Sequence, residues 1–215
     1  METGLNLKIV GLERGPEVAG ARWLTIHTTR GPLPVILHPA AEPGRAAICV
    51  SGALGGFDGP AWLYPRLGLE MPRRGVSVLR VNYRNPNEFG ECVLDAMAAV
   101  SFLKGTGYGS AVIIGHSFGG AVAINAGTLS PFITSVIAIS SQLGGAHVVE
   151  ELAPKPLLLI HGTADTILAH QSSEALYERA REPKTLKLLP DAGHALTEVA
   201  DELLAIVEDW LLSRA

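Results

Sequence analysis

The chain has 215 residues, of which 47% are hydrophobic and 18% charged, and its formal net charge is −4. That length suits one domain spanning residues 1–215 around one core, and the composition excludes a disordered chain. No basic run exceeds Arg73-Arg74, so the electrostatic footprint of a nucleic-acid or anionic-membrane partner is missing.

The first elements read as short strands: Leu5–Val10, Arg22–Thr28 and Val35–His38, joined by turns at Gly15-Pro16 and Gly31-Pro32. They predict antiparallel strands at one edge of a sheet. The pattern then becomes alternating strand and helix. Candidate strands are Ala46–Ser51, Val76–Val81, Ala111–His116, Ile133–Ser140, Leu157–His161 and Thr185–Leu189. Most are unbroken apolar runs, as parallel strands covered on both faces require. Val93, Met97 and Val100 predict a helix that stops at Gly105; Ser117–Leu129 and about Gln171 to Arg181 predict two more. A last helix carries the stripe Val199, Leu203, Ile206 and Trp210. The expected fold class is therefore α/β: a mostly parallel central sheet, antiparallel N-terminal strands and helices on both faces. The apolar runs are too short to span a membrane, and Met1–Asn6 does not read as a secretory start. Cys49 and Cys92 read as buried thiols, so a reducing cytoplasm is the expected location.

Ligands of such sheets bind beyond the carboxyl ends of the strands, so the chemistry is sought there. The strand Ala111–Ile114 runs into Gly115-His116-Ser117-Phe118-Gly119, and small residues follow. A Gly-x-Ser-x-Gly turn between strand and helix holds its serine on a strained backbone with the hydroxyl exposed. A serine hydroxyl is a weak nucleophile and needs a histidine base oriented by a carboxylate. Two later strand ends supply that pair: Asp165 in His161-Gly162-Thr163-Ala164-Asp165, and His194 in Pro190-Asp191-Ala192-Gly193-His194. Asp191 is the rival acid but lies only three residues from His194. A metal site from His161, Asp165 and His194 would leave the serine turn unexplained, and His161 itself reads as structural. An oxyanion needs two donors. One is expected from the N–H of Phe118, the other from Ala53, with Leu54 as the alternative, in Ser51-Gly52-Ala53-Leu54-Gly55-Gly56. That loop lacks the full dinucleotide pattern of glycines.

Taken in order, Ser51–Gly56, Val81-Asn82-Tyr83-Arg84, Gly115–Gly120, His161–Asp165 and Gly193-His194 resemble the α/β-hydrolase superfamily. Asn82-Tyr83-Arg84 and His161-Gly162-x-x-Asp165 are most similar to its compact dienelactone-hydrolase-like and prolyl-oligopeptidase-like branches. Two departures stand out. The nucleophile position holds Ser117 where dienelactone hydrolases use cysteine, and the oxyanion loop begins with Ser51 where these branches often have histidine. The resemblance implies a serine hydrolase with the triad Ser117, Asp165 and His194, acting on a small-molecule acyl substrate without cofactor or metal. Carboxylic esters are the expected substrates. Thioesters, peptides and peracids share the same triad chemistry, and a catalytically silent binding protein on this fold is the reading outside enzymes. The sequence leaves the oligomeric state open. Only residues 141–156 lie between Ser140 and Leu157, which leaves no room for a large cap. The site is then expected to be open, with Leu54, His116 and Leu143 as substrate contacts. Its expected walls are Phe57, Trp62 and Tyr64 from the 52–72 loop and Leu143 and His147 from the 141–154 loop.

Overall fold

The computed structural model describes residues 6–214. Nine strands form one sheet: β1 (Ile9–Val18), β2 (Ala21–Thr28), β3 (Gly31–His38), β4 (Arg45–Val50), β5 (Val76–Val81), β6 (Ser110–His116), β7 (Ile133–Ile139), β8 (Leu157–Gly162) and β9 (Lys184–Leu189). Their order across the sheet is β1-β2-β3-β5-β4-β6-β7-β8-β9. The first three pair antiparallel, and β3 also meets β5 antiparallel. From β5 to β9 every neighbouring pair is parallel.

Five α-helices cover the sheet: α1 (Leu63–Glu70), α2 (Phe89–Gly105), α3 (Phe118–Leu129), α4 (Gln171–Arg179) and α5 (Ala200–Arg214). Alternate residues of each parallel core strand enter opposite cores. In β4, Ala46, Ile48 and Val50 join the buried residues of α2, α3 and α4. Ala47 and Cys49 face the other way, toward Leu63 and Leu67 of α1 and Leu203, Val207 and Leu211 of α5. Both faces being dry, the strand must be apolar throughout, which is why the sequence shows runs rather than alternation. In β2 only one face is covered, and Leu24, Ile26 and Thr28 are buried at every second position. Both cysteines are buried free thiols. Among the described residues no helix is long and apolar enough to cross a membrane.

Several expectations are corrected. The first strand runs Ile9–Val18, not Leu5–Val10; Leu5 lies outside the described residues. Gly15-Pro16 is not a turn but lies within β1, where the register with β2 shifts between Arg14 and Glu17. The reversal is made instead by Ala19 and Gly20, both at positive φ (51° and 79°). Likewise β3 begins at Gly31 and contains Pro32 and Pro34. Its ladder to β5 covers only Val35–His38, so the N–H groups these prolines lack fall where that ladder has ended. The 52–72 segment is not all loop, because it contains α1. Tyr64 is not a wall of the site: it is 1% exposed, and its hydroxyl donates to Val50 O at 2.8 Å. The α5 stripe is centred on Leu203, Val207 and Leu211, with Val199, Ile206 and Trp210 flanking it.

The chain leaves β4 toward β5 on one side and later toward β6 on the other. A crevice opens at such a switch point, at the carboxyl ends of the strands. The segments beginning at Ser51, Asn82 and Ser117 border it.

Candidate active site

Ser117 ends β6 and caps α3 with φ 57° and ψ −120°, a backbone conformation that costs an L-residue energy. The turn closes because its neighbours have no side chains. A Cβ on Gly115 would lie 1.9 Å from Gly119 O, and one on Gly119 would lie 2.2 Å from Ser51 O. The Ser117 N–H donates to Ile139 O at 2.8 Å, which ties the turn to β7.

Asp165 sits in the loop after β8 and is 9% exposed. Its Oδ1 accepts from the N–H groups of Ile167 (2.8 Å) and Leu168 (2.9 Å). Its Oδ2 accepts from His194 Nδ1 at 2.7 Å. Burial alone would raise this carboxyl, but the bonds from His194, Leu168 and Ile167 outweigh it and hold Asp165 below the usual carboxylate range. His194 donates through Nδ1, the tautomer that leaves Nε2 as the acceptor in the neutral ring, which is the form a general base requires. Gly162 lets the two loops meet, for a Cβ there would lie 2.1 Å from Ala192 O. Across the same junction the Ala164 N–H donates to Ala192 O at 3.0 Å. The rival Asp191 is exposed and turned at φ 57°, its N–H held by Thr163 Oγ1 at 3.0 Å.

The loop carrying His194 is pinned from below. Its carbonyl accepts from His116 Nε2 and from Ser140 Oγ, each at 3.1 Å. Burial lowers the His116 imidazole to about 4, so it is neutral at physiological pH, with its hydrogen on Nε2. His116 thus holds the base's loop, a task beyond the substrate contact expected of it. Among the described residues no hydrogen bond joins the Ser117 hydroxyl to His194.

The expected oxyanion donors occupy suitable places. Phe118 is the first residue of α3, so its N–H has no partner within the helix. Its ring packs edge-on against Tyr83 and Phe89. Ala53 and Leu54 occupy the tip of a turn closed by Gly55 N–H to Gly52 O at 3.1 Å, a bond that does not use the Ala53 N–H. Asn82 braces this loop, its Oδ1 accepting from Gly56 N–H at 2.8 Å. The Ser51 hydroxyl, where related loops often carry histidine, is buried without a partner. Beside the loop, Arg84 is clamped by buried Asp95 and by Glu91 and fixes the path from β5 into α2.

Around this edge Leu54, Trp62, Leu143 and Ile167 are exposed, Leu54 by 97%. Phe57 turns aside to Trp23, with ring centroids 5.5 Å apart. His147 is exposed at the start of a short 3₁₀ segment. A separate cavity of about 580 Å³ lies under the β1–β2 hairpin, lined in part by Leu12, Trp23, Phe102 and Tyr108, away from the carboxyl ends of the strands.

His161, read from the sequence as structural, meets the acid. It is fully buried, and its Nε2 lies 3.0 Å from Asp165 Oδ2 and 2.9 Å from Leu168 O. The signals for this contact are its i, i+4 spacing to Asp165 at a strand end and the His161-Gly162-x-x-Asp165 motif.

Comparison with known proteins agrees with this architecture. The family described as serine aminopeptidase, S33, matches residues 145–199, the part that carries Asp165 and His194. The uncharacterized protein YfhR of Escherichia coli (strain K12) is 45% identical over 56 residues, which is 26% of this chain and 20% of that protein. The match therefore spans about a fifth of that relative's length. The esterase domain of a Rhodothermus marinus protein superposes with a TM-score of 0.73 at 22% identity, covering 90% of this chain and 99% of that one. Dienelactone hydrolase from Anabaena variabilis superposes with a TM-score of 0.75 at 15% identity, covering 94% and 98%. At these identities the likeness shows the fold. The chain has the α/β-hydrolase fold, in a form with no cap inserted between β7 and β8.

Proposed function

We propose that the chain is a serine hydrolase that cleaves carboxylic esters through an acyl-enzyme on Ser117. The observation that carries the reading is the 2.7 Å bond from His194 Nδ1 to buried Asp165, on the sheet edge where Ser117 stands on its strained turn. His194 Nε2 takes the Ser117 proton as the hydroxyl oxygen attacks the acyl carbon; this contact tightens when substrate binds. Asp165 stabilises the imidazolium, and the N–H groups of Phe118 and Ala53 receive the oxyanion. His194 then protonates the departing alcohol, and water repeats the sequence on the acyl-enzyme. Leu54, His116 and Leu143 contact the substrate, and the exposed apolar side chains suit a small acyl group entering an open site. The esterase domain and the dienelactone hydrolase among the similar folds favour esters. The serine aminopeptidase match favours a second reading, a peptidase using the same three groups.

The test is intact-mass spectrometry after fluorophosphonate treatment, with Ser117→Ala alongside. One adduct on the parent and none on the variant supports the nucleophile. Absence of an adduct on the folded parent would overturn the reading in favour of a binding protein. A panel of p-nitrophenyl esters and aminoacyl anilides then separates esterase from peptidase.

A further inference from the structure

His161 has two acceptors at one nitrogen. Asp165 Oδ2 and Leu168 O both lie within hydrogen-bond distance of its Nε2, so that nitrogen carries a hydrogen. The other nitrogen, Nδ1, is 2.7 Å from the hydroxyl of Ser173, which is fully buried in the first turn of α4. In the neutral ring Nδ1 is an acceptor, so Ser173 donates to it. Burial pushes the His161 imidazole below its usual range, consistent with a neutral ring. One carboxylate oxygen therefore faces two imidazole N–H groups, that of His194 and that of His161, which it shares with Leu168 O, while the other receives two backbone N–H groups.

We propose that His161 is a positioning residue for the acid of the triad. Its Nε2–H, required by the two acceptors it faces, holds Asp165 Oδ2 in line with His194 Nδ1, and the Ser173 hydroxyl anchors the far side of the ring. The inference rests on the reading of Asp165 and His194 as acid and base. It deepens that reading, because the backbone donors alone hold only Oδ1. Without the third donor the carboxylate can rotate about the bond to its carboxyl carbon, and the base loses its fixed direction.

The experiment separates the two ideas. Nitrogen-15 NMR of the histidine rings reads tautomers without any turnover. His161 is expected as the Nε2–H form near neutral pH, and a slowly exchanging His194 Nδ1–H signal is expected in the parent. His161→Gln places an amide donor at the Nε2 position, and His161→Leu places none. The leucine variant is expected to lose the His194 signal and to lower kcat about tenfold at unchanged KM, and the glutamine variant to restore both. Ser173→Ala, which removes only a hydroxyl, is expected to keep the Nε2–H tautomer, to free the ring on its Nδ1 side, and to give a weakened His194 signal with a smaller loss of kcat. It carries the test if the leucine variant does not fold. An Nδ1–H tautomer for His161 in the parent, or a leucine variant with the parent's signal and kcat, would overturn the proposal. A parent with the expected ring signals but no fluorophosphonate adduct would instead overturn the hydrolase reading and leave the hydrogen-bond assignment standing.

Discussion

At the scale of single residues, Asp165 receives donors on both oxygens, and its hydrogen bond to His194 is the shortest of the four. A carboxylate so placed both selects the His194 tautomer and carries the charge that imidazolium needs. Asp165→Asn keeps the shape but offers an amide, which invites the wrong tautomer. The expected result is a fall in kcat of roughly 10⁴-fold with the fold intact, measured by steady-state kinetics and circular dichroism. Parental turnover in that variant would return Asp191 to consideration as the acid. Ser117, Asp165 and His194 could be proposed from the sequence because each follows an apolar strand in the chain order of the triads this fold carries. His161 was weighed from the sequence as a neighbour of Asp165 and His194 and read as structural, but its bond to Asp165 was not legible. Its other nitrogen meets Ser173, twelve positions away on α4, and nothing in one-dimensional spacing shows that the two side chains meet. Asn82 was visible as part of a motif, but its bond to the Gly56 N–H appears only in three dimensions.

At the scale of elements, the turn from β6 into α3 is a close backbone crossing. Gly115 and Gly52 show how specific the requirement is. A methyl on Gly115 would collide with Gly119 O, whereas one on Gly52 would make ordinary contacts at 3.7 Å. Gly115→Ala is expected to destabilise the chain by about 3 kcal/mol or more, and Gly52→Ala by under about 1 kcal/mol. Urea unfolding of the pair measures the contrast, and equal midpoints would show that the turn relaxes without cost. The parallel strands were readable within a residue or two, since burial on both faces leaves an unbroken apolar signature in most of them, though not in the edge strand β9. The N-terminal hairpins were not, because glycine–proline pairs signal turns in general but here sit inside strands. In β1 the pair fills a register shift, and in β3 the prolines fall where pairing with β5 has ceased. Helix α1 was missed for a related reason. It is short and opens from Ala61 and Trp62, both at positive φ, rather than from a conventional capping residue.

At the scale of the whole molecule, the fold buries imidazoles that must remain uncharged. Burial lowers both His38 and His116 from 6.5 to about 4. A histidine whose folded value lies below its unfolded one takes up a proton more readily when unfolded. Its contribution is complete above the unfolded value and is lost as pH falls toward the folded one. The urea midpoint is therefore expected to hold near neutrality and to fall between pH 6.5 and about 4. Asp165, with its depressed carboxyl, adds a further loss at still lower pH. Unfolding curves across this range check the slope, and a flat midpoint would show that neither ring is shielded. His38 packs over Gly68 on the α1 face while His116 supports the loop of His194, so acid attacks the scaffold and the candidate site together.

The register shift in β1 has a consequence for the molecule's company. Strand β1 ends the sheet, and nearly all of its ten residues are exposed, Ile9, Val10, Leu12 and Val18 among them. An uninterrupted greasy margin of that length is a template on which further chains can be laid indefinitely. Pro16 withholds an N–H at the offset, and Glu13, Arg14 and Glu17 place charge on either side of it. With the further shift between Ile9 and Gly11, the margin is cut into three stretches that do not share one register, so a strand laid against one loses step before it reaches the next. Pro16, exposed on this margin and remote from the candidate site, joins the flanking charges and the register shifts in opposing growth of the sheet past its last strand.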